Sequence, residues 1–323
     1  MDAVILAGGF GTRLRPLTNH IPKPLVRIAG KTIIDRLIAT IPDGAERILI
    51  AAGYRGDDLT EHFRKLGAGN VEIVVEREPL GTAGALYNMR NKLGDRFFVL
   101  NGDVMCSLSL KDMLAYHTSK GAAMTISLWP VEDVSAYGAV AISTDGSVTE
   151  FREKPKGDVR KAGYINAGAY IMEKSVFDKM DMVTFSLEKE VFPHLCGRGL
   201  YGFSFTGYWF DCGSLPSYIA AQETLMKVEN APIQKGAKLN GCVINRPVSV
   251  EDGASIFGSQ LGPNVYIERG AKVMEGCRLS NCVIMEDAVL GEGCTINNSI
   301  VSPGLHLPDG TEGENKILDE SNY

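Results

Sequence analysis

Residues 250–273 read VEDGASIFGSQLGPNVYIERGAKV, and the aliphatic side chains in that stretch fall at Val250, Ile256, Leu261, Ile267 and Val273. A step of five or six residues matches neither the 3.6-residue period of a helix nor the alternation of an ordinary strand. It fits the hexapeptide coils of a parallel β-helix, where each short strand turns one aliphatic residue into a triangular core. Followed outward, the same beat runs from Ile233 through Leu239 and Ile244, and on through Leu279, Ile284, Leu290, Ile296 and Val301 to Leu307. Small residues stand two places earlier (Ala237, Ala254, Ala271, Cys277, Ala288, Cys294) and glycines three places earlier (Gly236, Gly253, Gly270, Gly276, Gly293). Three strands per coil consume about 18 residues, so the segment supplies roughly four coils.

Upstream of this repeat the texture is different. Residues 2–7, 46–52, 71–75 and 96–100 read as buried strands, with helices expected near 31–41, 57–66 and 81–92. Strands that alternate with helices predict an α/β, Rossmann-like, mostly parallel sheet covered on both faces. From about 120 to 172 the pattern turns strand-rich, with a hairpin at Asp145-Gly146, and two more helices are expected near 186–195 and 214–228. The expected partition is a catalytic domain at 1–228, a β-helix at 229–311 and a tail at 312–323.

Composition narrows the function. A formal charge of -6 without a basic block argues against a nucleic-acid surface. The same charge repels phosphate, so any phosphate site must be built locally from a few cations and backbone N–H groups. No apolar run reaches the roughly 18 residues of a membrane span. The start lacks the basic residues and long apolar run of a secretory signal. The seven cysteines contain no CxxC pair and read as free thiols. A cytoplasmic protein is expected.

The chemistry is expected at strand ends. Leu6-Ala7-Gly8-Gly9-Phe10-Gly11-Thr12-Arg13-Leu14-Arg15-Pro16 follows the first strand. It fails the dinucleotide fingerprint, because Leu14 stands where the third glycine belongs, and it is no P-loop. What remains is a glycine-rich turn whose N–H groups can approach phosphate, with arginines close by. In Pro22-Lys23-Pro24 two prolines stiffen one lysine. Asn101-Gly102-Asp103 and Trp209-Phe210-Asp211-Cys212-Gly213 each place a carboxylate after an apolar run. Two such carboxylates suit Mg²⁺, which takes few protein oxygens. Glu153-Lys154-Pro155 and Gly163–Gly168, with Asn166, offer polar groups to a sugar phosphate. The loop from Glu76 to Leu86 can pack a flat base against its glycines.

Taken in order, LAGGFGTRLRP, KP, NGD, EKP, NAG and WFDCG give the chain a resemblance to the sugar-1-phosphate nucleotidyltransferase family over nearly its whole length. The resemblance implies a Rossmann-like domain followed by a left-handed β-helix. It implies Mg²⁺ on Asp103 and Asp211, with Arg13 and Lys23 as the catalytic cations. It implies nucleotide contacts from Leu6, Ala7, Gly8, Gly9, Gly11, Thr12, Gly81, Thr82 and Gly84, and sugar-phosphate contacts from Gly138, Glu153, Lys154 and Asn166. The implied ligands are a nucleoside triphosphate and a sugar 1-phosphate, and the implied assembly is a homo-oligomer. Residues 78–84 and Phe10 look most like the mannose-1-phosphate guanylyltransferase branch. Glucose-1-phosphate uridylyl- and thymidylyltransferases share every catalytic element, and a regulatory paralogue without turnover is a further alternative. An acyltransfer role for the β-helix finds little support, since His306 is the single histidine after residue 229.

Overall fold

The computed structural model describes residues 1–42, 45–53, 55–155, 161–179 and 185–323. They form two compact units, one of Met1–Phe10 with Ile34–Trp209 and one of Gly11–Ile33 with Phe210–Tyr323. Among the described residues no helix is long and apolar enough to cross a membrane.

The first unit is built on strands β1 (Asp2–Leu6), β2 (Ile48–Ala52), β3 (Val71–Val75) and β4 (Arg96–Asn101). Helices α1 (Ile33–Thr40), α2 (Gly56–Leu66) and α3 (Gly81–Met89) connect them in turn. The four strands pair in parallel in the order β3-β2-β1-β4. β2, ILIAA, is buried along its whole length, as expected of a central parallel strand covered on both faces. The connection from β1 runs to one side and that into β4 to the other, so the carboxyl ends of β1 and β4 flank a topological switch point. Open α/β sheets bind ligands there.

After helix α4 (Leu110–Lys120) the chain adds β5 (Met124–Val131), β6 (Gly138–Ile142), β7 (Val148–Glu153), β8 (Gly163–Glu173) and β9 (Leu200–Ser204). With few helices between them, most of these strands pair antiparallel: β8 on β4, β5 and β6, and β6 on β7. The sheet is therefore mixed, parallel where helices alternate with strands and antiparallel where they do not. The helix expected near 186–195 is a π-helical turn at Leu187–Val191 running into a short α-helix at Phe192–Leu195.

The second unit holds the β-helix, and the inward aliphatic residues stack in register on three faces. One face runs Leu239, Ile256, Val273, Leu290, Leu307. The next runs Ile244, Leu261, Leu279, Ile296, Gly313. The third runs Val250, Ile267, Ile284, Val301, Leu318. Each face stacks five strands among the described residues, so the coils outnumber the expected four and continue into the segment expected to be a tail. The beat fades there because Gly313 takes the inward place. A Cβ on it would lie 2.6 Å from Leu318 Cδ1 and 3.1 Å from Ile296 Cδ1. Helix α5 (Leu215–Val228), capped by Ser214, buries Tyr218, Ala221, Gln222 and Leu225. It packs on strands Arg278–Ile284 and Thr295–Val301 and on Arg27–Ile28.

Burial along the stack sets a graded expectation. Ile267 is fully buried, whereas Ile244 in the first coil is 37% exposed. Ile267→Ala is expected to cost about 2–5 kcal/mol, and Ile244→Ala about 1 kcal/mol or less. Urea denaturation of both variants checks the contrast, and equal costs would contradict the stacking described.

Candidate active site

At the switch point, the Gly102 N–H donates to Leu6 O over 2.9 Å, and the Ala7 N–H donates to Ala51 O over 2.8 Å. A Cβ on Gly102 would sit 2.8 Å from Leu6 O. Glycine is thus what allows the Asn101–Asp103 corner to lie against Leu6 and Ala7. Gly8 faces the carboxylate of Glu76, whose Oε2 lies 3.7 Å from the place of a Gly8 Cβ. Glu76 follows β3, held by its N–H on Ala52 O at 2.8 Å. Burial pushes its carboxyl above the usual range, partly offset by the Leu80 N–H.

Thr82 and Gly84 make internal bonds, and Gly81 allows a close backbone approach. Gly81 has φ +77°, and a Cβ there would lie 2.5 Å from Phe185 O. The N–H groups of Ala83 and Gly84 both donate to Phe185 O at 3.1 Å. The Thr82 hydroxyl donates to Glu188 at 2.7 Å and accepts from the Leu187 N–H at 2.8 Å. These residues fix the start of α3 to segment 185–188.

Glu188 opens a third group. Burial, and after it the charge of Glu188, raises the Glu153 carboxyl. The Tyr170 hydroxyl accepts from Asn166 Nδ2 at 3.0 Å and also bonds Asn101. Asn101 Oδ1 is buried without a hydrogen-bond partner. Gly138 leaves room for this group, since a Cβ on it would lie 3.0 Å from Glu153 Oε2. Lys154 is exposed, with Nζ 3.7 Å from Glu153 Oε1. Its φ of +42° is left-handed, a conformation costing about 1–3 kcal/mol outside glycine and concentrated at functional positions. The group offers mostly acceptors beside one exposed cation, which suits a hydroxyl-rich phosphate ester.

In the second unit Gly11 adopts φ +62°, and its carbonyl accepts from the Thr18 hydroxyl at 2.8 Å. That bend starts the 3₁₀ turn Thr12–Leu14, from which Arg13 Nη2 reaches Asp211 Oδ2 at 3.3 Å. Lys23, in the turn Lys23–Leu25, is only 7% exposed, and its Nζ lies 3.9 Å from Asp211 Oδ1. Gly213 is needed beside them: a Cβ there would lie 2.5 Å from Arg13 Nη2 and 2.7 Å from Asp211 Oδ1. Asp211 Oδ1 is buried with no hydrogen-bond partner. A buried carboxylate oxygen without a hydrogen-bond partner keeps its lone pairs for a bound cation. Among the described residues there is no cluster of three or more His, Cys, Asp or Glu able to hold a metal. Mg²⁺ needs no such cluster, because water and phosphate oxygens complete its shell.

The sequence pointed to Gly8, Gly11, Arg13, Lys23, Asp103, Glu153, Lys154, Asn166 and Asp211. It gave no separate signal for Glu76, Asn101 or Glu188 as site residues, and these are recognised by what surrounds them.

Comparison with known proteins matches residues 2–228 to the nucleotidyl transferase family and residues 244–315 to the GMPPB C-terminal domain. The chain is 39% identical to mannose-1-phosphate guanylyltransferase 1 of Arabidopsis thaliana, over 76% of this chain and 71% of that protein. It is 36% identical to the mannose-1-phosphate guanylyltransferase catalytic subunit beta of Drosophila melanogaster, over 76% of this chain and 70% of the relative. Among solved structures, HddC from Yersinia pseudotuberculosis complexed with GMP-PN superposes with a TM-score of 0.58 at 32% identity, covering 69% of this chain and 99% of HddC.

Proposed function

Since this chain belongs to the nucleotidyl transferase family, we propose that it transfers the guanylyl group of GTP to mannose 1-phosphate, releasing pyrophosphate and GDP-mannose. The observation that carries the reading is the cluster in which Arg13 and Lys23, from two turns that follow the glycine-rich loop, meet Asp211 at the end of strand Trp209–Asp211. A phosphate oxygen of mannose 1-phosphate attacks the α-phosphorus in line. The new P–O bond forms as the α–β bridge breaks, and pyrophosphate leaves with the electron pair. The attacking phosphate is already anionic near pH 7, so no general base is needed. The barrier is the meeting of two polyanions, and fixed cations lower it.

Arg13 and the N–H groups of Gly8, Gly9, Gly11 and Thr12 hold the triphosphate. Lys23, kept from water, offsets charge near the attacked phosphorus. Lys154 holds the phosphate of the sugar, while Glu153 and Asn166 accept or donate to its hydroxyls. Asp211 and Asp103 are the carboxylates we assign to Mg²⁺, which when bound offsets triphosphate charge and stabilises the departing pyrophosphate. Cytoplasmic location and homo-oligomerisation belong to the same proposal. The latter is motivated by Val243 and Ile244, apolar and exposed in the first coil.

Glu76 explains a preference for guanine. Guanine presents two adjacent donors, N1–H and the 2-amino group, and an ionised carboxylate is acceptor-only with two oxygens. Uracil and thymine present one N–H between two carbonyls, which a carboxylate repels.

A pyrophosphate-release assay tests the reading on a grid of mannose, glucose, galactose and N-acetylglucosamine 1-phosphates against GTP, UTP, dTTP, ATP and CTP. The signal is expected in the GTP and mannose 1-phosphate cell and only with Mg²⁺. A glucose 1-phosphate signal with UTP or dTTP would replace the substrates named. Asp211→Asn and Asp103→Asn are each expected to lower turnover by orders of magnitude in folded protein, and near-wild-type activity removes that residue from the metal role. Glu76→Gln is expected to lower kcat/KM for GTP by about 10–100-fold, the worth of a charged hydrogen-bond pair, and to narrow its lead over UTP. An unchanged GTP-to-UTP ratio would count against Glu76 as the base reader.

A further inference from the structure

The β-helix is the least expected contributor to this site. The residue after each inward aliphatic of the third face occupies one corner of the coil: Glu251, Glu268, Met285, Ser302 and Asp319. All five are buried. Arg27 donates from Nη2 to Glu251 Oε1 at 2.6 Å, and its Nε lies 3.7 Å from Glu268 Oε1. The Tyr266 hydroxyl donates to the same Glu251 oxygen at 2.8 Å. Each glutamate has its second oxygen tied to coil backbone, Glu251 by the Arg269 N–H and Glu268 by the Glu286 N–H, both at 3.0 Å. Two carboxylates fixed to successive coils therefore grip one guanidinium.

Arg27 lies four residues after Lys23. Its carbonyl accepts from the Tyr218 hydroxyl of α5 at 2.6 Å, and the Ala29 N–H donates to Gln222 Oε1 of α5 at 2.8 Å. Gly30 closes the hairpin at φ +81°, and any Cβ there would collide with the Tyr266 hydroxyl. Near its other end the same segment is tied by His20 Nε2 to Asp319 Oδ2 at 3.2 Å. The first turn of α5 is in turn joined to Asp211, through the Ser217 hydroxyl on the Asp211 carbonyl.

We propose that Arg27, gripped by Glu251 and Glu268 of the β-helix, is a positioning residue for guanylyl transfer, acting by holding Lys23 against Asp211. The proposal rests on the reaction assigned above. The coils are then part of the catalytic apparatus as well as a stable appendage. A displacement of about 1 Å at a reacting group can cost about 100-fold in rate. Burying two carboxylates against a part-buried guanidinium is a costly way to gain stability alone, since apolar groups of the same volume often serve as well or better.

The test is pyrophosphate release by the full chain with GTP and mannose 1-phosphate, kcat and KM read separately, beside a thermal melt. Arg27→Met is expected to lower kcat about 10–100-fold with KM for mannose 1-phosphate changed less than threefold. In a Lys23→Ala background the same substitution is expected to cost less than threefold, because its effect passes through Lys23. The triple variant Arg27→Met, Glu251→Leu, Glu268→Leu replaces the charges by apolar groups; it is expected to melt near the wild-type temperature and still to lose turnover. Folded Arg27→Met with wild-type kcat overturns the proposal, as do independent, multiplicative losses in the double variant. If the triple variant does not fold, Glu268→Gln with wild-type kcat is the overturning result, and a loss of several-fold supports it. A wild-type chain silent with these substrates refutes the reaction assigned, whereas an active wild type with unaffected variants refutes the positioning role alone.

Discussion

A lysine kept from water needs a carboxylate, and the approach of Lys23 to Asp211 is the constraint around which the second unit is arranged. The chain carries a formal charge of -6, yet the proposed reaction brings two phosphate groups together. Mobile surface cations would be screened and spread over many rotamers. Asp211 instead takes the buried Lys23 on one oxygen and the exposed Arg13 on the other, and Lys23 is the cation fixed in advance. Such preorganisation is where electrostatic catalysis gains over water. Space follows from charge: Gly213 has no side chain because Arg13 and Asp211 fill the position. Gly11 takes a left-handed bend, and a Cβ on it would lie only 3.1 Å from the side chains of Lys23 and Thr18.

Most of the fold was legible because its signals are local and repeated. Strands β1 to β4 are short apolar runs between helical patterns, and a parallel sheet buried on both faces writes itself that way. The six-residue beat identified the coils. It failed at Gly313, where Leu318 of the same coil and Ile296 of the one before crowd the core position and the sequence shows nothing aliphatic. Helix α4 was missed although Ser109 caps it on the Asp112 N–H and Gly121 ends it. Its apolar residues are too sparse for a clear period, so the caps were the stronger signal.

The site was legible in part, and the division is physical. Gly8, Arg13, Lys23, Asp103 and Asp211 lie in glycine- and proline-rich turns at strand or helix ends, where backbone demands restrict the residue types. Glu76, Glu188 and Arg27 carry no such local restriction, and Asn101, though in the same turn as Asp103, gave no signal of its own. Asn101 matters because Oδ1 is buried without a partner, and Glu188 because it bonds Thr82 and raises Glu153. Thr82 and Gly84 show the reverse. Their loop composition suggested ligand contact, but their polar groups are used up on residues 185–188.

The corner glutamates raise a question of specificity. Successive coils are nearly alike, spaced by about 4.8 Å, and an apolar seam laid along them could settle one coil up or down at little cost. Corner residues that differ from coil to coil remove that freedom. Glu251 and Glu268 can receive Arg27, Met285 and Ser302 cannot, and Asp319 receives His20. A one-coil slip would leave a buried carboxylate or guanidinium unpaired, which costs about 3–5 kcal/mol. Burial pushes the Glu268 carboxyl up to about 7, so near neutral pH this corner holds its second negative charge only in part. The network is then weak as a source of net stability and strong as a register lock. A segment that must present Lys23 and Arg13 to within ångströms gains more from the lock than from further stability.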